Sequence, residues 1–362
     1  MALSAKKKGK ARLPHLKEVI GVDFGTQSAR LVGLARDKGG IGLTMIGTVY
    51  YPKQETGDPE SFDSFAVARE ISNFLESSEI KTRSVVACTP SRHAVIRILP
   101  FPEMPEDDLR NSIQYEVEQF ATDESGEKLI DYSILREYQE DGKPKLEVLI
   151  VAIPRNTINP YLETLMNARL EVHGLNLAPF STIKSLEYKS DLLYDGGNIV
   201  VFMGQYSSDV IILEDGNLKF IRNIKIGGSH IQQVFQEAMR MEEGQELDPA
   251  EIESLEVAPD NEIYVSQIIG EVAEDIERTV HFCKSQEQRS DIHIGKIILA
   301  GFGIWPKNLS ELLSDKLRMP VLKANPFGYD HPVLTNVQPN EVCQSPSDYC
   351  AAFGLALEGL GE

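Results

Sequence analysis

Residues 22–34 read VDFGTQSARLVGL and align without gaps with residues 201–213, which read VFMGQYSSDVIIL. In both copies an apolar strand leads into a glycine, a short polar turn follows, and a second apolar strand leaves. Each copy predicts a β-hairpin whose tip binds phosphate, because glycine permits close backbone approach and the turn offers N–H and hydroxyl donors. Two such hairpins that face each other are predicted to hold a nucleotide between two lobes.

The two copies differ at one position that matters for chemistry. Asp23 of the first copy corresponds to Phe202 of the second. A carboxylate can ligate a cation and orient water, whereas a phenyl ring can do neither. The repeat therefore predicts two hairpins with unequal roles.

The composition is that of a globular protein with selected partners. The chain has 362 residues, 42% hydrophobic and 25% charged, which is enough for two lobes with separate cores. Its net charge of −19 argues against nucleic acid as a partner, since phosphate contacts need clustered Lys and Arg. The four cysteines lack Cys-x-x-Cys spacing and are interpreted as small buried side chains, and no apolar run reaches the roughly 18 residues needed to span a bilayer. A cytoplasmic protein is expected.

Residues 1–17 form a basic segment that differs from the acidic remainder of the chain. The basic residues are Lys6, Lys7, Lys8, Lys10, Arg12 and Lys17. The first interpretation is a flexible, solvated tail. The second is weak attraction to an anionic membrane surface, at about 1 kcal/mol per charge.

The first lobe is predicted from residues 18–99 and 181–197. Strands are expected at 18–24, 30–35 and 41–50, with a turn at 37–40, and together they make an antiparallel meander. Apolar residues at helical spacing follow between Phe62 and Leu75, and two more strands are expected at 84–88 and 94–99. This lobe is therefore predicted to be mixed α/β.

Residues 100–180 are predicted to be an inserted subdomain with the order helix, strand, strand, helix. Three prolines between 100 and 105 precede an acidic helix start, and strands are expected at 130–139 and 146–153. The first helix carries an apolar stripe of Leu109, Ile113, Val117 and Phe120. Asn159 and Pro160 suit the N-cap and the first position of the second helix.

The second lobe is predicted from residues 198–232 and 295–362, with a helical insertion at 233–294. A second meander is expected, and its last strand, at 218–226, ends at Gly227-Gly228. A later apolar strand at 296–300 leads into Gly301-Phe302-Gly303 and a helix, an arrangement that often contacts nucleotides. The acid-rich segment between 237 and 262 is interpreted as a solvated helix rather than an acidic docking face.

Taken together, these motifs resemble the actin-like ATPase superfamily and, within it, the PilM family of type IV pilus assembly proteins. Residues 21–31 are similar to the first phosphate motif of the superfamily, the second hairpin to its second phosphate motif, and residues 299–303 to its adenosine motif. Residues 99–109, 116–120, 325–327 and 349–357 are similar to segments of PilM proteins. The resemblance runs from Val19 to Leu357. It implies an actin-like ATPase fold of two α/β lobes related by internal duplication, with an inserted subdomain of the FtsA/PilM type.

The resemblance also implies a site for ATP or ADP with Mg²⁺ between the lobes. Asp23 is expected to hold Mg²⁺ through water, since hard cations prefer oxygen ligands. The residues expected to contact the cofactor are Asp23, Gly25, Thr26, Gln27, Ser28 and Arg30 in the first hairpin, Gly204, Gln205, Ser207, Ser208, Gly227 and Gly228 in the second copy, and Gly301, Phe302 and Gly303 in the adenosine motif.

A partner is implied as well. In PilM relatives the protein is cytoplasmic and binds the N-terminal cytoplasmic tail of the inner-membrane protein PilN in a groove beside the inserted subdomain. Here the loop 100–105 and the helix that bears Ile113 and Val117 are expected to supply an apolar groove, although such stripe residues more often belong to a core. Association with the inner face of the cytoplasmic membrane is expected through the partner. The sequence leaves open whether copies of this chain form a homo-oligomer, as actin relatives do when they polymerise head to tail.

The missing carboxylate leads to the functional hypothesis. Phosphoryl transfer needs positioned phosphates, a cation and a group that orients the attacking water, and Phe202 cannot supply the last. Loss of a positioned acid–base group typically costs about 10²–10⁴ in rate. We expect a nucleotide-binding adaptor of a type IV pilus or related secretion assembly complex with weak or absent hydrolysis. The alternatives are a nucleotide-free scaffold of the same fold, an FtsA-like cell-division protein, and a sugar kinase, for which the sequence offers no catalytic carboxylate.

Overall fold

The computed structural model describes residues 16–52, 61–120, 126–188, 190–238, 262–286, 291–301, 308–327 and 345–362. Several sequence predictions lie outside the described residues: the tail up to residue 15, most of the acid-rich segment, and Phe302, Gly303 and Cys343. Within the described residues, no helix combines the length and the apolar character that a bilayer span requires.

The elements alternate between strands and helices along the chain. The described strands are β1 (Glu18–Phe24), β2 (Ser28–Asp37), β3 (Gly40–Tyr50), β4 (Ser84–Thr89), β5 (Val95–Pro102), β6 (Lys128–Glu140), β7 (Lys143–Pro154), β8 (Glu171–Leu177), β9 (Gly197–Met203), β10 (Ser208–Glu214), β11 (Asn217–Ile224), β12 (Ile294–Gly301) and β13 (Val321–Lys323). The described α-helices are α1 (Ser64–Ser77), α2 (Glu106–Phe120), α3 (Arg155–Asn167), α4 (Ala178–Glu187), α5 (Gly228–Ala238), α6 (Glu262–Ser285), α7 (Leu309–Leu317) and α8 (Cys350–Leu360), with short 3₁₀ helices at Ser91–His93 and Pro346–Tyr349.

The described residues fall into two compact units. The first comprises the residues up to Lys184 together with Ala352–Glu362, and the second comprises those from Ser185 to Ala351. The first unit is built on a five-stranded sheet in the order β3-β2-β1-β4-β8, in which β1 to β3 form the predicted antiparallel meander and β4 and β8 add in parallel. The central strand β1 is buried along nearly its whole length, which explains why it is apolar on both faces apart from Glu18 at its start and Asp23.

The second unit repeats this plan. Its sheet has the order β11-β10-β9-β12-β13, with β9 to β11 as an antiparallel meander and β12 and β13 added in parallel. Strands β9, β10 and β12 pack with α6 and α7 in one hydrophobic core. The two sheets therefore share strand order and polarity, as the repeated motif predicts.

The C-terminal helix α8 packs directly on β1 in the first unit. A Cβ built on Gly21 would lie 1.9 Å from the Ala352 carbonyl oxygen and 2.8 Å from the Ala356 nitrogen. One built on Gly359 would lie 2.7 Å from a methyl group of Val19. At Gly21 the strand and helix backbones are thus close enough that only glycine fits, whereas a larger residue at Gly359 would have to displace the side chain of Val19.

The inserted subdomain is a three-stranded antiparallel sheet in the order β5-β7-β6. One face packs against α2 through a core to which the helix contributes Leu109, Ile113 and Val117. The apolar stripe predicted for this helix is therefore its buried face.

Three elements lie on the other side of a lobe or subdomain boundary from the one that the sequence predicts. Two of them are strands, and the third is a helix. Strand β5 begins within the segment 18–99 yet pairs with β7, and β8 lies within 100–180 yet pairs with β4. Helix α8 lies within 295–362, which was assigned to the second lobe, but from Ala352 onward it belongs to the first unit because it packs on β1. Sequence order carries no signal for these long-range pairings, and the remaining boundaries stay predictions.

The start of α3 corrects a further prediction. The helix begins at Arg155, and Pro160 lies inside it rather than at its first position. The N-cap is Pro154, which makes no side-chain capping hydrogen bond, and the Thr157 hydroxyl donates to the Pro154 carbonyl at 2.7 Å. Pro160 removes one backbone hydrogen bond close to the helix start, where the loss is tolerated better than in the middle.

Candidate functional site

The first hairpin joins β1 to β2 and brings six predicted site residues together. Asp23 lies opposite Arg30 in the ladder, and Phe24 lies opposite Ala29. The Gly25 N–H donates to the Ser28 carbonyl at 2.9 Å and closes the turn. Thr26 and Gln27 therefore form the tip, between two buried strands.

Asp23 is a buried carboxylate with one satisfied oxygen. It is 1% exposed and lies beside Cys88 in the parallel pairing of β1 with β4. The Cys88 thiol donates to Oδ1 at 3.0 Å, whereas the buried Oδ2 has no hydrogen-bond partner among the described residues. Burial raises the pKa of the Asp23 carboxyl, and the Cys88 bond and the Arg30 charge offset part of that rise. The carboxylate is thus desolvated, and one of its oxygens is left for a ligand.

The thiol beside it is held in its neutral form. Burial raises the pKa of Cys88 well above its ordinary value, and the neighbouring Asp23 charge raises it further. Cys88 therefore donates its proton to the hydrogen bond with Asp23. Cys283 and Cys350 are also buried, in agreement with the sequence interpretation of the cysteines.

Tyr51 holds the carbonyl groups of the first turn. Its backbone N–H donates to the Gln27 carbonyl at 2.9 Å, and its hydroxyl donates to the Gly25 carbonyl at 3.1 Å. In contrast, the Thr26 and Gln27 N–H groups have no partner within the described residues. The carbonyl groups of the turn are thus already hydrogen-bonded, whereas two of its N–H groups remain available within the described residues. Backbone N–H groups arranged in this way can bind an anion.

The two remaining polar residues of the first hairpin contact each other. Arg30 Nη1 donates to the Ser28 hydroxyl at 2.9 Å, and both side chains are buried. This contact places the guanidinium beside the turn and beside Asp23. The positive charge there compensates the carboxylate and favours a phosphate group at the tip.

The second hairpin joins β9 to β10 and has the same turn geometry with different chemistry. The Gly204 N–H donates to the Ser207 carbonyl at 2.9 Å, as Gly25 does to Ser28. Phe202, at the position of Asp23, is 6% exposed and lies opposite Asp209, which stands where Arg30 stands in the first copy. The hairpin has a carboxylate, but on the other strand, where the Asn223 side chain donates to it at 2.9 Å.

Gly227 and Gly228 contact the second turn. The N–H groups of Gly228 and Ser229 donate to the Gly204 and Gln205 carbonyls at 2.9 and 2.8 Å, and the Ser208 hydroxyl donates to the Ile226 carbonyl at 2.6 Å. A Cβ built on Gly227 would lie 2.6 Å from the Gln205 carbonyl oxygen. Gly227 is therefore explained by backbone packing at the start of α5, and the contact of either glycine with a cofactor stays a prediction.

Gly301 ends β12 beside the second hairpin. It has a φ of +92°, and a Cβ there would lie 2.3 Å from the Met203 carbonyl oxygen. The second unit thus brings Gly301 close to the turn that bears Gly204 and Gln205. Phe302 and Gly303 lie outside the described residues.

The first hairpin fits a nucleotide phosphate with Mg²⁺. The unpaired Oδ2 of Asp23 and the available N–H groups of Thr26 and Gln27 are the observations that show this fit. Mg²⁺ commonly keeps several waters and binds proteins through one or two carboxylates, so a single aspartate is a sufficient protein ligand. Across the part of the chain that the structure describes, no group of three His, Cys, Asp or Glu side chains forms a metal site.

A groove of about 650 Å³ lies along the inserted subdomain. Its walls are the end of β5, the loop after it and one side of α2; the lining residues are Leu99, Pro100, Phe101, Pro102, Met104, Asn111, Ser112, Tyr115 and Glu116. Ile113 and Val117, which the sequence placed near such a groove, are buried in the core instead. Tyr115, on the groove side of the same helix, is 63% exposed, and the polar sequence around it gave no signal of this role.

The chain resembles proteins of known structure over nearly its whole length. It matches the PilM–PilN type IV pilus biogenesis complex at 19% identity with a TM-score of 0.76, over 96% of this chain and 99% of that chain. A weaker match is the ethanolamine utilization protein EutJ from Carboxydothermus hydrogenoformans, at 14% identity with a TM-score of 0.48, over 96% of this chain and 92% of that chain. Another is MreB5 of Spiroplasma citri bound to ADP, at 11% identity with a TM-score of 0.48, over 94% of this chain and 95% of that chain. The fold is that of the actin-like ATPases, as predicted.

A family profile matches most of the chain. The profile of the family described as type IV pilus assembly protein PilM covers residues 21–360. This range includes both hairpins, the inserted subdomain and α8. The chain belongs to the PilM family of type IV pilus assembly proteins.

Proposed function

We propose that this chain is a cytoplasmic nucleotide-binding adaptor of a type IV pilus or related secretion assembly complex. It binds ATP or ADP with Mg²⁺, hydrolyses ATP slowly or not at all, and binds the N-terminal cytoplasmic tail of a PilN-like inner-membrane protein. Through that partner it is held at the inner face of the cytoplasmic membrane. The family match favours this role over the FtsA-like alternative.

The first hairpin is the observation that carries the nucleotide part of the proposal. Among the described residues, neither the buried Oδ2 of Asp23 nor the N–H groups of Thr26 and Gln27 at the tip beside it have a hydrogen-bond partner. In this arrangement the main chain binds phosphate oxygens and the carboxylate holds a hydrated cation. When bound, Mg²⁺ neutralises charge on the phosphates.

Phe202 is the observation that supports weak hydrolysis. Its ring is buried at the position where the first hairpin has Asp23, so it cannot accept a proton or orient water. Asp209 lies on the neighbouring strand and already accepts a hydrogen bond from Asn223. The second hairpin therefore retains a turn that can contact phosphate and has no carboxylate at the equivalent position.

We predict a turnover number for ATP of about 10⁻³ to 10⁻¹ s⁻¹, which is a typical enzyme rate of about 10 s⁻¹ reduced by the loss of an acid–base group. The measurement is phosphate release by the purified full chain. An Asp23→Ala sample prepared in the same way separates the chain's own activity from that of a contaminant. Turnover at several per second that Asp23→Ala abolishes would contradict the proposal.

The groove is the observation that supports a peptide partner. The floor of the groove is apolar and consists of Leu99, Phe101 and Met104. Pro100 and Pro102 have no backbone N–H, so the end of β5 offers few hydrogen-bond donors. Asn111, Ser112 and Glu116 supply polar groups on the α2 side. A short extended peptide that carries alternating apolar side chains fits such a surface.

Tyr115→Arg is predicted to weaken binding of a synthetic PilN-like N-terminal tail by at least about tenfold, because exposed aromatic residues in a groove commonly dominate peptide affinity. The fold should be unaffected, since this side chain is 63% exposed. Phe65→Arg is the matched control, because Phe65 is 73% exposed on α1 and does not line the groove. Fluorescence anisotropy with a labelled tail is the measurement.

Equal affinity of Tyr115→Arg and the unmutated chain would exclude the groove as the tail site. A co-purification experiment then tests the adaptor role itself. The full chain should recover a membrane protein of the pilus complex, and ATP should change the yield. Recovery of no pilus component with or without ATP would refute the adaptor assignment.

A further inference from the structure

Two residues outside the repeated motif contact the first hairpin from neighbouring strands. Tyr51 follows β3, and Cys88 lies on β4. Tyr51 contacts the main chain of the turn, whereas Cys88 contacts the carboxylate at its base. The two residues thus act on separate parts of the site, the phosphate donors and the cation ligand.

Tyr51 sets the direction of the turn's peptide groups. In a trans peptide the carbonyl and the following N–H point in opposite directions, and none of the described residues has a cis peptide bond. The Tyr51 hydroxyl binds the Gly25 carbonyl, so the N–H of Thr26 in the same peptide unit points away from Tyr51. This is one of the two N–H groups that have no partner within the described residues.

The Tyr51 ring is itself held in place by an aromatic chain. Its centroid lies 5.1 Å from that of Phe62, Phe62 lies 5.3 Å from Tyr161, and Tyr161 lies 5.3 Å from Phe24, the residue before the turn. Burial raises the pKa of Tyr51 well above its ordinary value, so its hydroxyl remains a donor at neutral pH. The Tyr51 hydroxyl, and with it the direction of the Thr26 N–H, is therefore fixed before any ligand binds. This lowers the entropy that is lost when the ligand binds.

Cys88 makes the two oxygens of Asp23 unequal. Its thiol occupies Oδ1 and leaves Oδ2, buried and unpaired, as the oxygen available to a cation. Parallel pairing of β1 and β4 fixes this contact, because Asp23 and Cys88 occupy the same register position. A purely structural role as a small core residue would explain why Cys88 is buried. It would not require the hydrogen bond from the thiol to the Asp23 carboxylate, which a positioning role does require.

We propose that Tyr51 and Cys88 are positioning residues for the nucleotide, with Tyr51 directing the Thr26 N–H toward phosphate and Cys88 directing Oδ2 of Asp23 toward the cation. This inference rests on the proposed nucleotide site. It predicts a different signature for each residue. Loss of the Tyr51 hydroxyl weakens phosphate binding whether or not Mg²⁺ is present, whereas loss of the Cys88 thiol weakens only the contribution of Mg²⁺.

The test is equilibrium titration of the full chain with a fluorescent ATP analogue, once in Mg²⁺ and once in EDTA. Tyr51→Phe keeps the ring and removes one neutral hydrogen bond, so affinity should fall about fivefold under both conditions. Cys88→Ala should keep its affinity in EDTA within about twofold and lose about fivefold in Mg²⁺, and Cys88→Ser, which retains a donor, should recover most of that loss. Tyr138→Phe in the inserted subdomain is the matched control and should bind as the unmutated chain does.

The outcomes separate this inference from the function on which it rests. Failure of the unmutated chain to bind the analogue would overturn the nucleotide site itself. Binding by the unmutated chain that neither Tyr51→Phe nor Cys88→Ala changes would overturn the positioning roles alone. Equal loss in Mg²⁺ and EDTA for Cys88→Ala, together with a lower melting temperature and no recovery in Cys88→Ser, would show a purely structural residue and would also overturn its positioning role.

Discussion

Gly21→Ala should lower the free energy of unfolding by about 3 kcal/mol or more, the upper end of the cost of inserting a methyl group into a packed interior. The new Cβ would lie 1.9 Å from the Ala352 carbonyl oxygen and 2.8 Å from the Ala356 nitrogen. Both atoms belong to the backbone of α8, which cannot yield as a side-chain end can. The helix must therefore move away from β1 and expose the apolar surface that it covers.

Gly270→Ala is the matched control for this substitution. Gly270 lies inside α6, and a Cβ there would meet no heavy atom within 4 Å. Alanine should raise the stability by about 0.5–1 kcal/mol, because glycine is the poorer helix former. Urea or thermal unfolding of both variants is the measurement. A Gly21→Ala protein that unfolds like the unmutated chain would show that α8 does not pack on β1.

Asp23→Asn should have opposite effects on stability and on nucleotide binding. The amide keeps an oxygen that can accept from Cys88 and removes a desolvated charge, so the nucleotide-free protein should gain about 1–3 kcal/mol at neutral pH. The same change removes the anionic oxygen that the cation needs. In the presence of Mg²⁺ the variant should bind an ATP analogue no better than it does in EDTA. Loss of function with gain of stability is the pattern expected of a binding residue that is buried at a cost to the stability of the fold.

The stability gain of Asp23→Asn should depend on pH. Burial raises the pKa of Asp23 in the folded state above the ordinary carboxyl value of 3.8, so the folded chain binds that proton more tightly than the unfolded chain. The stability of the unmutated protein therefore falls as the pH rises from 3.8 through the folded pKa. The gain should appear over that window, be complete above it, and vanish at lower pH, where Asp23 is protonated in both states. Thermal melts in EDTA across this range are the measurement, and a gain that is constant with pH would contradict the account.

The sequence was most informative where one short pattern determines one local structure. The repeated hairpin predicted both meanders, and the order of the motifs predicted the family and the fold, which are confirmed. The apolar stripe of α2 identified its buried face. In each case the spacing of residues along the chain is sufficient, because the elements concerned are adjacent in sequence.

The sequence was least informative where distant segments meet. No local pattern shows that β8 pairs with β4 or that α8 packs on Gly21. For the same reason Tyr51 and Cys88 carry no motif of their own, since their contacts depend on the register of β3 and β4 with the first hairpin. The wrong start of α3 has a different cause, because an Asn-Pro pair is a common helix beginning that tertiary structure here overrides.

The central claim is that the chain binds nucleotide at a first hairpin that has a working cation ligand. Equilibrium titration of the unmutated full chain with a fluorescent ATP analogue, in Mg²⁺ and in EDTA, tests it most directly. We expect saturable binding at a single class of site, tighter in Mg²⁺ than in EDTA because Asp23 holds the cation. No binding under either condition up to about 1 mM, the upper end of ordinary substrate affinities, would contradict it and leave a nucleotide-free scaffold.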